Sequence, residues 1–540
     1  MKEKNIEALR VNNPQGVGFS RRRNKKTGVK EDLKKMGTLL LLVFLFMMAL
    51  APRLWFIFRI SEPIDIPMWY GDVFHHWQIA YLSKEIGFKQ GFLRLWDLKG
   101  MEFFWGLIHP LVLVILFTLT GSSNILVPRL LSVVCGSLNI VLLYLILKRE
   151  FNWQTGLAAA ILASFFPITL FSNTVGMQEE LGMFFIFLGI FFWPKSPAGT
   201  GLLFGLAAME RTEYWLFTCG LVLALILRSK NFDKKIILGL SYLVVNLFYM
   251  KYLDFWTGNA IYPIYWNFIS SVKGEWFVEL PINGAKLVAQ QINRVVFFFG
   301  LIGGLLTFWK KPKGFLLLLF GFSNLVFIGF MLGFGAYVKG FAPRVWTDRL
   351  FNWPYLFSLI LILIFLFWVV PNKARFWAKI KLNWLIFFGI LVLSWQLWQP
   401  IIYFWNDVGK FNYEAEKEKA GMIAKHYQKG SVLIPEDRPI LTYFLTNDFA
   451  IKGENIRGQM FDPFFYAKTE PLDNWGEFRK EFRDWLETQK IELLFISSGE
   501  HRALYQQAAL KEPDWFELLE EKEGSKVYRV ILPPDSQSFD

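Results

Sequence analysis

Apolar runs of near membrane-spanning length recur along most of this chain, and they leave few folds open to it. Residues 38–50, 124–147, 314–333 and 355–370 approach or match the roughly 20 apolar residues needed to cross the hydrocarbon core. A soluble core could absorb one such run, but not about ten. In lipid every backbone polar group must be satisfied within its own element, so the expected class is an α-helical polytopic membrane protein. Three parts are delimited: a basic tail over 1–36, a polytopic region over 37–405, and a soluble domain over 406–540 whose composition is that of an ordinary α/β module.

Charge fixes the expected topology. The chain carries a net +13, yet its last 135 residues hold 25 acidic against 18 basic side chains. The basic excess therefore sits in the tail (Arg21, Arg22, Arg23, Lys25, Lys26, Lys30, Lys34, Lys35) and in short loops between spans. That distribution follows topology and gives no sign of a nucleic-acid partner. Lys148-Arg149, Lys195, Arg228 to Lys235, Lys310 to Lys313 and Lys373 to Lys381 are assigned to the cytoplasm together with the tail. Alternation places 60–123, 175–180, 253–290, 334–350 and everything after about 405 outside, with about eleven spans. The tail is too long and too charged for a removable signal peptide, so the first span is expected to be retained. With no Asn-x-Ser/Thr sequon, a prokaryotic plasma membrane is the default location. Both cysteines, Cys135 and Cys219, lie in apolar runs and suggest packing rather than a disulfide or thiolate site.

Two segments depart from simple alternation. Residues 105–119 are apolar, but the next run must descend to Lys148-Arg149, so the earlier one is expected in the outer interface, with His109-Pro110 near its start. Residues 201–227 are flanked by positive loops on both sides and should enter and return. The apex, Glu210-Arg211-Thr212-Glu213, must then be buried in protein or line a wet cavity, as a structural ion pair or as part of a site.

The soluble domain shows β-rich runs at 431–434, 491–497 and 526–532 and helical patterns at 474–489 and 500–510. Trp475, Phe478, Phe482, Trp485 and Leu486 recur on one helical face, and Glu523-Gly524-Ser525 reads as a hairpin turn. His426 and His501 have no partners at metal-ligand spacing.

Acidic residues at the outer mouths of spans are costly unless they bind or react with something. Asp72, after the first span, and Gln178-Glu179-Glu180, at the end of a later one, are placed there. Their order and sidedness, with neighbouring motifs, resemble the C-type (GT-C) glycosyltransferases. The resemblance rests on Tyr70-Gly-Asp72-Val-Phe-His75-His76-Trp77, His109-Pro110-Leu, Val127-Pro128-Arg129-Leu130-Leu131-Ser132 and Phe166-Pro167-Ile168. It continues in Gln178-Glu179-Glu180, Met209-Glu210-Arg211-Thr212-Glu213 and Asp348-Arg349-Leu350-Phe351-Asn352-Trp353-Pro354, over residues 38–370. Members include the protein O-mannosyltransferases and the lipid A aminoarabinose transferase. The chain departs from the family pattern where Val73 replaces a second acidic residue and where the second outer loop carries Glu in place of Asp.

The resemblance implies an enzyme that moves a sugar from a polyprenyl-phosphate donor to a hydroxyl on a lipid, glycan or protein acceptor at the outer membrane face. A phosphate leaving group needs positive charge rather than a general acid, and Arg344 and Arg349 are the first candidates, with Arg211 in reserve. Asp72 is the expected base, compatible with capping a helix over Val73–Leu82. Glu179 is the second catalytic candidate, and Glu180 is assigned to substrate binding or to capping the following span. His75 and His76 are assigned to the acceptor, or to a divalent metal shared with Asp72 or Glu179. Arg129 is expected to snorkel to lipid headgroups. The competing class is a transporter or flippase of lipid-linked sugars, which calls for polar residues at the bilayer midplane.

Overall fold

The computed structural model describes residues 20–60, 72–88, 95, 103, 105–266, 300–309, 352–370, 376–395, 410–434, 438–458, 475–497 and 503–533. Among these, three helices are long and apolar enough to cross a membrane: Met36–Arg59, which continues α1 (Ser20–Trp55), α4 (Leu126–Glu150) and α10 (Phe232–Thr257). The pair α5 (Trp153–Phe165) and α6 (Pro167–Val175) is apolar enough when taken together but bent by 62°, the geometry of a broken span or a re-entrant loop. Shorter helices complete the apolar part: α2 (Asp72–Glu85), α3 (Ile108–Thr120), α7 (Glu179–Phe192), α8 (Pro197–Ala208), α9 (Thr212–Arg228), α11 (Gly300–Trp309), α12 (Asn352–Ile364) and α13 (Phe376–Ser394). The expected total of about eleven spans takes in segments outside the described residues.

The basic loops meet at one end of the bundle. Arg149, in the last turn of α4, donates to the carbonyls of Ile190 (3.1 Å) and Phe191 (2.9 Å), which close the C-terminal turn of α7. Cations are favoured at that end of a helix because its carbonyls lack intrahelical donors. Arg228 pairs with Glu150 at 3.2 Å, and Lys234 donates to the Pro194 carbonyl at 3.0 Å. Three of the predicted basic loops thus share one surface, while the acidic motifs lie away from it.

Proline explains the break between α5 and α6. Pro167 cannot donate to Ala163, four residues back, and the chain turns there. Arg53 of α1 fills the gap: its guanidinium donates to the carbonyls of Ala163 (3.3 Å) and Ser164 (3.4 Å), to Ala49 (2.5 Å) and to Asn173 Oδ1 (2.7 Å). Arg53 is fully buried.

The C-terminal part of the chain carries α14 (Lys410–His426), α15 (Pro439–Asn447), α16 (Trp475–Thr488) and α17 (Ala503–Lys511) around a five-stranded sheet of order β2-β1-β3-β5-β4. The strands are β1 (Ser431–Leu433), β2 (Ile456–Arg457), β3 (Ile491–Ile496), β4 (Phe516–Lys522) and β5 (Ser525–Val530). β1 runs parallel to β2 and β3, and the β4–β5 hairpin adds antiparallel to β3. Alternation along the strands serves two cores: Leu433 and Leu494 pack with Phe482, Leu486 and Tyr505, whereas Val432, Leu493, Phe495 and Val527 join a core that extends to α2. The expected hairpin turn is present as Glu523-Gly524, both at positive φ (48° and 73°), the conformation a two-residue turn demands. β4 was not among the predicted β-rich runs because its Glu517, Glu520 and Glu521 hide the alternation, as charges on edge strands do.

The hairpin is tied to α14 by His426 and Lys425, both bonded to Glu520 (2.8 and 3.0 Å), which hold this carboxyl below its ordinary value of 4.5. A depressed carboxyl stabilises the fold above the ordinary value and loses that contribution as pH falls through the folded-state value. Amide protection factors of residues 516–530, corrected for intrinsic exchange, should therefore be unchanged down to about pH 5 and fall below the ordinary carboxylate range. A Glu520→Gln variant should lack this acid-dependent step.

Candidate functional site

The acidic centre lies where α7 begins. This helix has 14 residues, about 21 Å of rise, and its far end is the basic surface at Ile190 and Phe191. Glu179 and Glu180 thus stand about 21 Å from that basic surface. Bonds to α4 fix the depth independently. Asn139, near the middle of that 25-residue helix, donates to the carbonyl (3.0 Å) and to Oε2 (3.2 Å) of Glu180.

Glu180 lies abreast of the middle of α4, at Asn139. Glu180 is fully buried, with Arg53, Asn173 and Asn139 forming the polar floor beneath the recess. A bonded set of polar side chains thus lies between these apolar helices.

Above that floor is an ion-pair cluster. Arg211, at the start of α9, meets Glu179 Oε1 at 2.6 Å and both oxygens of Glu213 at 3.0 and 3.1 Å. Tyr214 donates its hydroxyl to the Glu179 carbonyl at 2.8 Å. The α8–α9 apex is buried, as expected of a returning hairpin: Glu210 is 0 % exposed. Its carboxyl lies near the backbone of His109, in the first turn of α3. Gly106 permits this approach, since its φ is +94° and a Cβ there would collide with the carbonyl of Glu210. Leu107 donates to the Met209 carbonyl at 3.0 Å.

The first outer loop closes over the cluster. Gln178 donates to the carbonyl of Trp105 at 3.3 Å, and the Trp105 ring stacks on His75 at 4.8 Å. His76 lies 5.3 Å from Trp105 and edge-on to His109 at 5.0 Å. Asp72 stands in the first turn of the same helix, α2, which extends over Asp72–Glu85 as predicted. Thr169 bonds Asn352 at 2.8 Å, bringing the start of α12 to this region, while Trp353 packs edge-on against Phe187 of α7 at 5.2 Å.

Residues 106–252 match the family described as dolichyl-phosphate-mannose-protein mannosyltransferase. No curated protein matches the chain. Among solved structures, ArnT from Cupriavidus metallidurans bound to undecaprenyl phosphate superposes with a TM-score of 0.53 at 12 % identity, covering 91 % of this chain and 98 % of that one. The apo form of the same ArnT gives 0.50 at 12 % identity over 92 % and 98 %. The Archaeoglobus fulgidus oligosaccharyltransferase in complex with Zn and sulfate gives 0.50 at 13 % identity over 90 % and 72 %. The chain has the C-type glycosyltransferase fold.

Within this C-type scaffold the structure brings His75, His76, Glu179, Glu180 and Arg211 to one recess and places Asp72 at the head of the helix that roofs it. Arg344 and Arg349 lie outside the described residues. Arg211 faces two carboxylates, those of Glu179 and Glu213. Arg129 is corrected from a snorkelling role: it is 0 % exposed and donates to the Thr174 carbonyl at 2.8 Å, because α6 leaves that carbonyl without a following helical turn. Among the described residues no group of three or more His, Cys, Asp or Glu side chains is arranged to hold a metal ion. Sequence reasoning missed Arg53, Asn139 and Asn173. Each is a polar residue inside an otherwise apolar run, which is itself the signal of an intramembrane site.

Proposed function

We propose that this protein is a plasma-membrane glycosyltransferase, N-terminus cytoplasmic and C-terminal domain outside, that moves a sugar from a polyprenyl-phosphate donor to a hydroxyl acceptor. The observation that carries the reading is the buried, bonded acidic cluster of Glu179, Glu180 and Arg211 under the histidine-bearing helix α2, within a C-type scaffold. The ArnT of like fold was crystallised with undecaprenyl phosphate, a lipid of the proposed donor class.

The chemistry is a single displacement. The acceptor oxygen attacks the anomeric carbon, the bond from that carbon to the phosphate oxygen breaks, and its electron pair stays on the departing polyprenyl phosphate. The acceptor proton passes to the Asp72 carboxylate, and the anomeric centre inverts. Arg344 and Arg349 supply positive charge to the phosphate. Arg211 holds Glu179, and through it the mouth of α7, while His75, His76 and Glu180 contribute to substrate binding and to the shape of the recess.

Purified protein in liposomes, given a panel of polyprenyl-phosphate sugars and candidate lipid, glycan and peptide acceptors, tests the reading. Release of polyprenyl phosphate with stoichiometric glycosylation of an acceptor is the expected result. Movement of an intact donor between leaflets, with no cleavage by any acceptor, would replace the transferase by a flippase.

A further inference from the structure

The roof of the recess is seated on the C-terminal domain. On α2, Phe74, Trp77 and Tyr81 share one face, at the spacing of one and two helical turns, and His75 and His76 occupy the face turned to Trp105. Tyr443 of α15 meets the first face: its ring lies edge-on to Phe74 at 5.2 Å and to Trp77 at 5.0 Å. Tyr413 of α14 adds a third ring, 5.6 Å from Phe74.

The same tyrosine reaches the membrane bundle. Its hydroxyl accepts the backbone N–H of Ile125 at 3.4 Å, just before α4 begins, and Trp77 donates to the neighbouring carbonyl of Ser123 at 2.5 Å. Tyr443 is 1 % exposed. At the other end of α2, the Tyr81 hydroxyl accepts the N–H of Gly453 at 3.3 Å, and a Cβ on Gly453 would stand 2.5 Å from the Tyr81 ring. The fit therefore requires glycine.

We infer that Tyr443 is a positioning residue for the transfer site, fixing α2 between the C-terminal domain and the acidic recess so that Asp72, His75 and His76 keep their register. The inference rests on the transferase reading. The C-terminal domain is then the back wall of the site, and α2 tilts only if this aromatic socket opens. Shifts of about 1 Å at reacting groups cost on the order of a hundredfold in rate, which makes such a socket consequential for catalysis without any contact to substrate.

The test uses the full chain in liposomes, comparing wild type with Tyr443→Ala, Tyr443→Phe and Gly453→Ala. Amide exchange of residues 72–85 is read beside that of 491–496, together with kcat and the donor KM. Tyr443→Ala should speed exchange in α2 about tenfold or more, leave strand 491–496 protected, and lower kcat about 10- to 100-fold with KM within about twofold. Tyr443→Phe, which keeps the ring, should restore most of the rate. Gly453→Ala should loosen α2 from its opposite end without removing any aromatic packing, and serves if Tyr443→Ala does not fold. Wild-type exchange in α2, or faster exchange with unchanged kcat, overturns the positioning role. Absence of transfer by wild type counts against the transferase reading alone, because the exchange measurement still decides whether Tyr443 holds α2.

Discussion

Replacing Asp72 with asparagine should slow sugar transfer by about two to four orders of magnitude and leave donor binding within about twofold. The substitution is nearly isosteric, and asparagine serves as well as aspartate at the head of a helix, so α2 should keep its place over Asp72–Glu85. Losing a charge near the helix N-terminus costs only about 0.3–1 kcal/mol, too little to unseat a helix whose opposite face is buried against Tyr443. What disappears is the proposed proton acceptor. Single-turnover measurement with saturating donor isolates that step from binding, and a melting curve confirms the fold. A variant that turns over at the wild-type rate would remove Asp72 from the chemistry. Glu179 would then be the base, despite its 2.6 Å pairing with Arg211.

The sidedness of the bundle was legible because charge is excluded from lipid and short basic loops must gather on one surface. Arg149, Arg228 and Lys234 do so through bonds to neighbouring helix ends and Glu150. The returning hairpin at 201–227 was legible for the same reason, and its apex is buried as that reading requires. Depth was not. Apolar runs report that a helix is in the membrane but not where its polar neighbours stand along the normal, and Pro167 shortens α6 so that the acidic motif descends to the level of Asn139. Nor could the sequence pair α2 with the C-terminal domain. Trp77 and Tyr443 are 366 positions apart, and both read as ordinary core or interface aromatics. The catalytic assignments themselves stay at the level of residue type and order, and Arg344 and Arg349 fall outside the described residues.

Replacing Arg53 with methionine should destabilise the bundle by about 3–5 kcal/mol, since several buried acceptors lose their donor at about 1–3 kcal/mol each. Methionine fills much of the volume but donates nothing. The carbonyls of Ala163 and Ser164, already deprived of helical donors by Pro167, would be left without Arg53, and so would Asn173 Oδ1. In detergent the melting temperature should fall by many degrees, with amide exchange accelerating first at residues 163–175. Arg53→Lys should fall between the two, since an ammonium keeps the charge but cannot reach the four acceptors a planar guanidinium serves at once. Because α6 leads directly into Gly176–Gln178 and then Glu179, any Arg53→Met protein that does fold should also transfer sugar more slowly, through a displaced α7. A methionine variant with wild-type melting and wild-type exchange would show that the break at Pro167 supports itself, and that the recess does not depend on α1.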